Sequence, residues 1–549
     1  MQPSRGRIIF LIVVLTALTA LVIMQLVRYQ VIQRVPPGQP LPQLIQSEPA
    51  RRGWIFDRNG YVLAADQPRY EVLFDKIGAD EDRAVRDLTP ILNMAPDQLR
   101  KLIDGEQEQV RLARGLMPEA GKRIRALGIW GVTARAYWTR AYPEGTLAAH
   151  VLGFVNDNRE GFYGLEGKYN TILNGSQLAA DIPDTRPGAD LVLTIDRSAQ
   201  AIVEEELARG LETTGAQSGS IIVMNPHTGE ILALASAPSF NPSQYLELAQ
   251  NDVKRFVNQA VSDNYEPGST FKIFTLAAAL DQGLVTPETT YNDTPYLEIG
   301  GQFIWNWDRA GHGEVNMVEM MARSLNVGAA TLAMHMGQQN FYRYIRAFGI
   351  GRPTGVDLQG EASGLLRTRD TDPSTWSEAD LGTNAFGQGV SSTPIQMITA
   401  VAAVANDGVL VQPHVVKKIV RGTQETPAKI VQLGRPISAQ TAHTMTNILT
   451  QVVEREVSFA QVKGYKIAGK TGTAQIPIPG GYDDPWTIAS FVGYGPADNP
   501  QLIILVKLDR PTLSPWGSET AAPVFQKVAT RLFALLDIKP NDVQLATNN

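Results

Sequence analysis

The sequence predicts an α+β fold for most of the chain, behind a single N-terminal transmembrane helix. Three observations favour it: an apolar run near the start, short β-rich segments at both ends of the C-terminal region, and helical periodicity between them. At 549 residues the chain is too long for one ordinary domain. We therefore expect at least two domains, the second built on an antiparallel sheet assembled from distant segments and flanked by helices.

The N-terminal run from residue 8 to 27 is apolar or small apart from Gln25. Twenty helical residues span roughly 30 Å, the thickness of the hydrocarbon core of a bilayer. The alternative is a cleaved signal peptide, which would have a shorter apolar stretch and a small-x-small site, absent before Tyr29. Basic residues flank the run on both sides, so charge leaves the orientation nearly tied. The predicted order is a cytoplasmic tail at 1–7, a transmembrane helix at 8–28 and a Pro-rich linker at 29–47.

Composition excludes several classes of site. The net charge of −6 gives no indication of a nucleic-acid partner. With no cysteine, the chain has no disulfide, thiolate metal site or cysteine nucleophile, which suits an extracytoplasmic location. The six histidines are scattered without ligand spacing, so we expect neither a metal nor a cofactor.

Local signals divide the rest of the chain into a first region at 48–187, a second at 188–538 and a polar tail at 539–549. The first contains a hairpin turn at Asn59-Gly60, mostly short charged helices over 80–128 and a Gly-rich stretch with short loops over 145–175. The second region is predicted to contain a helix from Asp196 to Leu211, a hairpin around 225–229, another around 496–500 and a last helix from 522 to 536.

Three short motifs in the second region carry the chemistry. The first is Ser269-Thr270-Phe271-Lys272 after Pro267-Gly268, which predicts a turn opening a buried helix with Ser269 and Lys272 on one face. A desolvated lysine can take the serine proton, and helix N-terminal amides favour developing negative charge. Alone the match is weak, because a chain of this length contains about one or two such spacings by chance. A capping serine beside a solvated lysine would look the same.

The second and third motifs complement the first. Ser324-Leu325-Asn326 follows a helical run and offers a hydroxyl for proton relay and an amide. Lys470-Thr471-Gly472-Thr473 predicts an edge strand with charge and hydroxyls to hold a terminal carboxylate, and Gly472 would let a substrate peptide approach as an added strand. Either motif alone is uninformative, but the three in this order are typical of β-lactamases and penicillin-binding proteins.

With these motifs, the chain resembles the class B penicillin-binding proteins. The opening Arg52-Gly53-Trp54-Ile55-Phe56-Asp57-Arg58-Asn59-Gly60 is similar to that of the family's pedestal domain, and Tyr142-Pro143, Gly164-Leu165-Glu166 and Leu193-Thr194-Ile195-Asp196 match later landmarks. The resemblance implies an elongated, non-catalytic pedestal (dimerisation-type) domain at 48–187 and a penicillin-binding transpeptidase domain at 188–538.

The resemblance also implies roles for the motif residues. Ser269, Lys272, Ser324, Asn326 and Lys470 would be catalytic, with the amides of Ser269 and Thr473 as the oxyanion hole. Thr471, Gly472 and Thr473 would bind stem peptides ending in D-Ala-D-Ala, β-lactams would inhibit, and a multi-span glycosyltransferase of the FtsW/RodA type would be a partner. Two positions depart from the family: Leu325, often small or polar there, and 454–458, which replaces a Gly-Thr turn.

Within class B, three segments resemble the division-specific group more than the elongation group: 266–269, 386–390 and 489–494. An elongation-specific enzyme remains an alternative. So do a β-lactam sensor or catalytically inactive scaffold and a β-lactamase. A sensor would carry further spans, a scaffold would have lost Ser269 or Lys272, and a diffusible hydrolase has no use for a pedestal and an anchor.

Overall fold

The computed structural model describes residues 50–105, 107–174 and 187–541, together with three helical positions, Thr19, Val22 and Met24. The predicted tail at 1–7, the linker at 29–47 and the rest of the predicted span at 8–28 lie outside the described residues. Among the described residues, no helix combines the length and the apolar character needed to cross a membrane.

The first region contains six strands and six helices within the described ranges. The strands are Ile55–Phe56 (β1), Val62–Asp75 (β2), Gln109–Leu116 (β3), Val132–Ala141 (β4), Phe154–Val155 (β5) and Gly161–Phe162 (β6). The helices are Glu81–Leu92 (α1), Pro96–Ile103 (α2), Pro118–Ala126 (α3), Ala149–Leu152 (α4), Gly164–Lys168 (α5) and Asn170–Asn174 (α6).

The second region alternates strands with longer helices. Its strands are Asp190–Leu193 (β7), Ser218–Met224 (β8), Ile231–Ala237 (β9), Thr290–Asp293 (β10), Tyr296–Ile299 (β11), Gln302–Trp305 (β12), Gly313–Asn316 (β13), Leu410–Val411 (β14), Val416–Arg421 (β15), Gln424–Pro427 (β16), Gln432–Gly434 (β17), Ala468–Ile478 (β18), Gly481–Gly495 (β19) and Leu502–Asp509 (β20). Its helices are Arg197–Thr214 (α7), Tyr245–Asn251 (α8), Gln259–Ser262 (α9), Lys272–Asp281 (α10), Met317–Ala322 (α11), Asn326–Ala347 (α12, interrupted at Gly337), Glu378–Asn384 (α13), Pro394–Ala405 (α14), Ala439–Glu456 (α15) and Ala521–Leu535 (α16).

A five-stranded sheet in the order β18-β19-β20-β8-β9 forms the centre of the second region, and each neighbouring pair is antiparallel. The order joins the two hairpins that the sequence predicts, one from each end of the region. Helices α7 and α16 pack against each other and against this sheet, α14 packs against β8 and β20, and α15 packs against β18. Helix α10, buried along nearly all its length, packs against α12 and α15. The predicted antiparallel sheet flanked by helices is confirmed.

A seven-stranded sheet spans both regions. Its path runs β16-β15-β7-β1-β2-β3, with β4 also paired to β2. β1 and β7 pair in parallel, so Ile55 lies beside Leu191 across the predicted boundary at 187/188. Strands β15 and β16, from far along the second region, complete this sheet. The sheet that begins in the first region is therefore completed by strands from the second region.

A buried ion-pair network lies within the first region. The Arg52 side chain is 1% exposed and donates from Nε to Glu166 Oε2 at 2.7 Å. Arg140 contacts both Glu166 and Asp66, at 2.7 and 3.3 Å. Burial of Arg52 lowers its pKa, against the opposing charge of Glu166. The charges are paired in the interior, as buried ions must be.

Most local predictions hold, and one does not. Asp196 caps α7 by accepting from the amides of Ser198 and Ala199, and the helix continues to Thr214 instead of ending at Leu211. The prediction of mostly short helices over 80–128 holds at α1, α2 and α3 but not at 109–116, which forms β3. That strand pairs with β2, a partner distant in sequence that local composition does not reveal.

Candidate active site

A short turn carries Ser269 against two other segments. Gly268–Phe271 forms a single 3₁₀ turn, and α10 begins only at Lys272, so Ser269 precedes the α-helix that the sequence predicts it to open. The Gly268 amide donates to the Gly387 carbonyl at 3.1 Å. Gly387 has a φ of 82°, and a Cβ there would lie 2.3 Å from the Gly268 carbonyl oxygen. Only glycine at position 387 therefore permits this contact, which holds the serine turn against the segment that contains Gly387.

Lys272 lies at the centre of the site. Its Nζ donates to Ser269 Oγ at 3.1 Å, to the Ser324 carbonyl at 2.6 Å and to Asn326 Oδ1 at 2.7 Å. The side chain is fully buried. Burial lowers the pKa of Lys272 well below its usual range, the nearby charge of Lys470 lowers it further, and Asp293 opposes the shift. The arrangement places an amine that loses its proton easily beside a serine hydroxyl.

Ser324 lies in a strained link between α11 and α12. Its φ of 60° is in the left-handed region, which a residue with a side chain adopts rarely. This conformation directs both the carbonyl and the hydroxyl of Ser324 at Lys272, the hydroxyl at 3.3 Å. The next residue, Leu325, is fully buried, so the departure from the family pattern at this position fills the core and does not enter the site.

A buried polar cluster behind α12, which the sequence did not reveal, positions Asn326. Asn306 is 1% exposed, and its Oδ1 accepts from the amides of Asn326 and Val327 at 2.9 and 3.1 Å. Its Nδ2 donates to Asp293 Oδ2 at 2.8 Å, and Tyr291 donates to the other oxygen of the same carboxylate. Asn306 thus satisfies the first amides of the helix that carries Asn326. No local pattern marks this asparagine, since its partners are distant in sequence.

Lys470 lies on β18, the edge strand of the five-stranded sheet. It is 1% exposed, and its Nζ donates to the carbonyl and the hydroxyl of Thr471 at 3.2 and 3.3 Å. Burial lowers the pKa of Lys470 to about 7. A substrate carboxylate placed beside this amine would favour its charged form.

Gly472 and Thr473 connect β18 to the serine turn. A Cβ on Gly472 would lie 2.8 Å from the Pro267 carbonyl oxygen and 2.4 Å from Ser490 Oγ. The backbone that approaches this glycine closely is therefore that of the serine turn, and the approach of a substrate peptide to the same strand stays a prediction. A Cβ on Gly268 would lie 2.8 Å from the Thr473 carbonyl, so the two segments also meet there. Thr473 Oγ1 accepts from the Gly517 amide at 3.1 Å, a contact that local sequence does not predict.

Aromatic residues form part of the rim. Trp307 and Trp516 are 56% and 40% exposed and meet in an edge-to-face contact at 5.4 Å. Trp307 donates to the Arg323 carbonyl, next to Ser324, and Trp305 accepts from Asn326 Nδ2 at 2.9 Å. Trp305 is itself 38% exposed.

The structure brings the predicted site residues into one cleft. Direct contacts with Lys272 join Ser269, Ser324 and Asn326, and the backbone of β18 meets the serine turn at Gly472 and Thr473. Lys470 contributes through its charge and donates to Thr471. Within the ranges that the structure describes, no group of three or more His, Cys, Asp or Glu is placed to hold a metal ion.

Two family models match the chain. Residues 219–530 match the penicillin-binding protein transpeptidase domain, and residues 47–182 match the penicillin-binding protein dimerisation domain. The chain belongs to the penicillin-binding protein family. The three motifs therefore lie within the match to the transpeptidase domain, and the match to the dimerisation domain covers most of the first region.

Penicillin-binding proteins similar over nearly the whole chain include curated relatives and a solved structure. Stage V sporulation protein D of Bacillus subtilis is 33% identical, over 90% of this chain and 80% of the relative. Peptidoglycan D,D-transpeptidase FtsI of Escherichia coli is 29% identical, over 92% and 87%. The crystal structure of penicillin-binding protein 3 from Mycobacterium tuberculosis with aztreonam superposes with a TM-score of 0.73 at 30% identity, covering 90% of this chain and 98% of that one.

Proposed function

We propose that the chain is a serine-type D,D-transpeptidase that cross-links peptidoglycan stem peptides through an acyl-enzyme on Ser269. The observation that carries this proposal is the 3.1 Å contact from Lys272 Nζ to Ser269 Oγ. Because burial lowers the Lys272 pKa, a neutral amine is available to take the hydroxyl proton. The printed name of the Escherichia coli relative, a peptidoglycan D,D-transpeptidase, supports the same reaction.

In the first half-reaction, Ser269 Oγ attacks the carbonyl carbon of the penultimate D-Ala while Lys272 Nζ accepts its proton. The C–N bond to the terminal D-Ala then breaks, and its nitrogen leaves as an amine after receiving a proton. The Ser324 hydroxyl, 3.3 Å from Lys272 Nζ, offers a route for that proton. The amides of Ser269 and Thr473 would stabilise the oxyanion, at about 3 kcal/mol per donor. An ester on Ser269 remains.

In the second half-reaction, an amine from a neighbouring stem peptide attacks the ester carbonyl and loses a proton to Lys272. The new amide forms, the C–O bond to Ser269 breaks, and the serine oxygen regains a proton. The balance needs no cofactor. During acylation, Lys470 and the hydroxyls of Thr471 and Thr473 would hold the terminal carboxylate, with the stem peptide extended along the free edge of β18.

β-Lactams would acylate the same serine as mimics of the D-Ala-D-Ala end. The relevant comparison is the aztreonam complex of the tuberculosis protein, which this chain superposes on over 90% of its length. An inactive scaffold would need neither the neutral lysine nor the strained Ser324 that faces it, so the geometry favours the enzyme over that alternative.

The cellular setting is also part of the proposal. We place the catalytic domain outside the cytoplasmic membrane, anchored by one helix at 8–28, because the substrate of the reaction is wall peptide and the apolar run is long enough to span. A multi-span glycosyltransferase of the FtsW/RodA type would contact the span and the pedestal. Removing residues 1–34 should abolish co-purification with such a partner, and unchanged co-purification would show that the span is not needed.

We propose a septal role over an elongation role. Its support is the resemblance of 266–269, 386–390 and 489–494 to division-specific members. Depleting the protein in its organism of origin should give filaments with normal diameter, and a fluorescent fusion should gather at the division plane. Rounded or widened cells with normal septa would favour the elongation alternative.

Labelling with a fluorescent penicillin tests the reaction. Full-length protein in detergent should give a stable covalent band on a denaturing gel, and Ser269→Ala should lose it. The matched control is Ser262→Ala, which removes a nearby half-buried hydroxyl that bonds only to the Gly360 carbonyl at 2.7 Å and should label as wild type. Folded wild type that gives no band, or a band that survives in Ser269→Ala, would contradict the proposal.

A further inference from the structure

The β11–β12 hairpin presents an aromatic surface that the proposed mechanism does not use. Its inward positions, Ile299 and Ile304, are buried, as alternation along a strand requires. Three outward positions are large aromatic residues: Tyr296 is 44% exposed, Phe303 53% and Trp305 38%. The solvent face of a hairpin normally carries polar residues, so these three, here called the aromatic platform, need an explanation.

The aromatic platform is continuous and has charged groups beside it. The ring of Tyr296 lies 4.9 Å from that of Trp305 and 5.2 Å from that of Phe303. The Arg309 guanidinium lies 5.2 Å from the centre of the Trp305 ring, and exposed Glu298 is the cross-strand partner of Phe303. Apolar ring surfaces therefore stand beside one donor group and one acceptor group.

Three hydrogen bonds connect the aromatic platform to the nucleophile. The Trp305 carbonyl accepts from Asn326 Nδ2 at 2.9 Å, Asn326 Oδ1 accepts from Lys272 Nζ at 2.7 Å, and Lys272 Nζ reaches Ser269 Oγ at 3.1 Å. The hairpin thus belongs to the rim of the cleft. A pentapeptide spans at most roughly 17 Å when extended, so the sugar to which a stem peptide is attached lies within that distance of the carbonyl that reacts at Ser269.

We propose that the aromatic platform binds a pyranose ring of the glycan strand to which a stem peptide is attached; this inference rests on the proposed function. A pyranose has an apolar face of C–H groups, which aromatic rings receive by stacking, and hydroxyl and amide groups around its edge. Arg309 and Glu298 are placed to meet that edge. A stem peptide is joined to sugar at one end and reacts at the other, so seating its reactive end brings the sugar to the rim.

A peptide-free probe tests the binding independently of catalysis. The probe is a tetrasaccharide of alternating N-acetylglucosamine and N-acetylmuramic acid, titrated into full-length protein by calorimetry. Wild type should bind, and Phe303→Ala and Tyr296→Ala should weaken binding about tenfold, while Phe303→Trp should keep it. The matched control is Trp130→Ala, an aromatic residue that is 53% exposed in the first region, which should bind as wild type.

Two results would overturn the inference: wild type that does not bind the tetrasaccharide, or binding that Phe303→Ala and Tyr296→Ala leave unchanged. If the platform only stabilises the hairpin, or contacts another protein, the wild type should not bind the tetrasaccharide. Because the probe carries no peptide, this failure is separate from a failure of the proposed function, which penicillin labelling of Ser269 reports.

Two kinetic arms distinguish the strand that supplies the sugar. In the first, the rate of acyl-enzyme formation is compared for a stem peptide with and without an attached disaccharide. In the second, acyl-enzyme made from the free peptide is resolved by an acceptor peptide with and without the disaccharide. If the sugar-linked peptide reacts faster in the first arm and Phe303→Ala lowers this preference, the platform binds the donor strand. If the same result is found in the second arm, the platform binds the acceptor strand. No such preference in either arm would overturn the inference.

Discussion

Replacing Asn306 by alanine tests whether the buried cluster behind α12 positions the site. Asn306 donates to Asp293 at 2.8 Å and accepts from the first two amides of α12, the amides of Asn326 and Val327. It touches neither Ser269 nor Lys272 through any of these bonds. We expect Asn306→Ala to impair acylation through Asn326, which the cluster holds 2.7 Å from Lys272 Nζ.

The size of the effect follows from these bonds. Losing the charge-assisted bond to Asp293 costs about 2 kcal/mol, and each of the two orphaned amides costs about 1 kcal/mol. Unfolding entropy is about 2.1 cal/mol/K per residue, so for the unit Ala50–Asn549 a loss of about 4 kcal/mol lowers the melting temperature by about 4 °C. Displacing Asn326 removes the bond that fixes Lys272 Nζ beside Ser269 Oγ, and misplacing the base in this way slows acylation by up to about 100-fold.

The assay pairs thermal unfolding with the rate of penicillin acylation. The matched control is Asn340→Ala on the exposed side of α12, where the side chain donates only to the Met336 carbonyl at 3.2 Å, and it should resemble wild type in both measurements. An Asn306→Ala protein that melts at the wild-type temperature and acylates at the wild-type rate would refute the positioning role.

Three further predictions concern the charge beside the base, the edge strand and the buried ion pairs of the first region. In Lys470→Met, removing a positive neighbour raises the pKa of Lys272, so the neutral base appears only at higher pH. In a plot of acylation rate against pH, the rise on the acidic side should therefore move to higher pH, and a rise that stays in place or moves to lower pH contradicts this. In Gly472→Ala, the new Cβ displaces the Pro267 carbonyl and acylation falls at least about 100-fold, whereas Gly481→Ala, with nothing within 4 Å, should acylate normally. In Arg52→Met, the buried Glu166 loses one of its two arginine partners and keeps Arg140, so the unfolding free energy falls by about 2–3 kcal/mol, whereas Arg86→Met, at an exposed pair, should change the melting temperature little.

Local sequence predicts the elements whose determinants lie close together in the chain. The Asp196 cap, the turn at Asn59-Gly60 and the hairpin around 225–229 each depend on a few adjacent residues, and each is present. Local sequence does not predict β3, because that strand is stabilised by pairing with β2, which is distant in the chain.

The site residues also separate into those that local sequence predicts and those that depend on distant partners. Short motifs identify Ser269, Lys272, Ser324 and Asn326, because each motif holds its residues at fixed spacing. Asn306 and Gly517 were not predicted. Each acts through a contact to a segment that the fold alone brings near, and neither residue type carries a chemical signal of its own.

The seven-stranded sheet has a consequence for how the protein is made. A ribosome delivers β1 to β4 first, but β7 and then β15 and β16 are needed to complete the sheet that they enter. The edge of β1 that pairs with β7 therefore stays open until residue 193 has left the ribosome. The edge of β7 that pairs with β15 stays open until residue 421 has left it. Such open edges are sites for incorrect pairing. A nascent chain stalled before β15 should be more sensitive to protease in its first region than one released after β16.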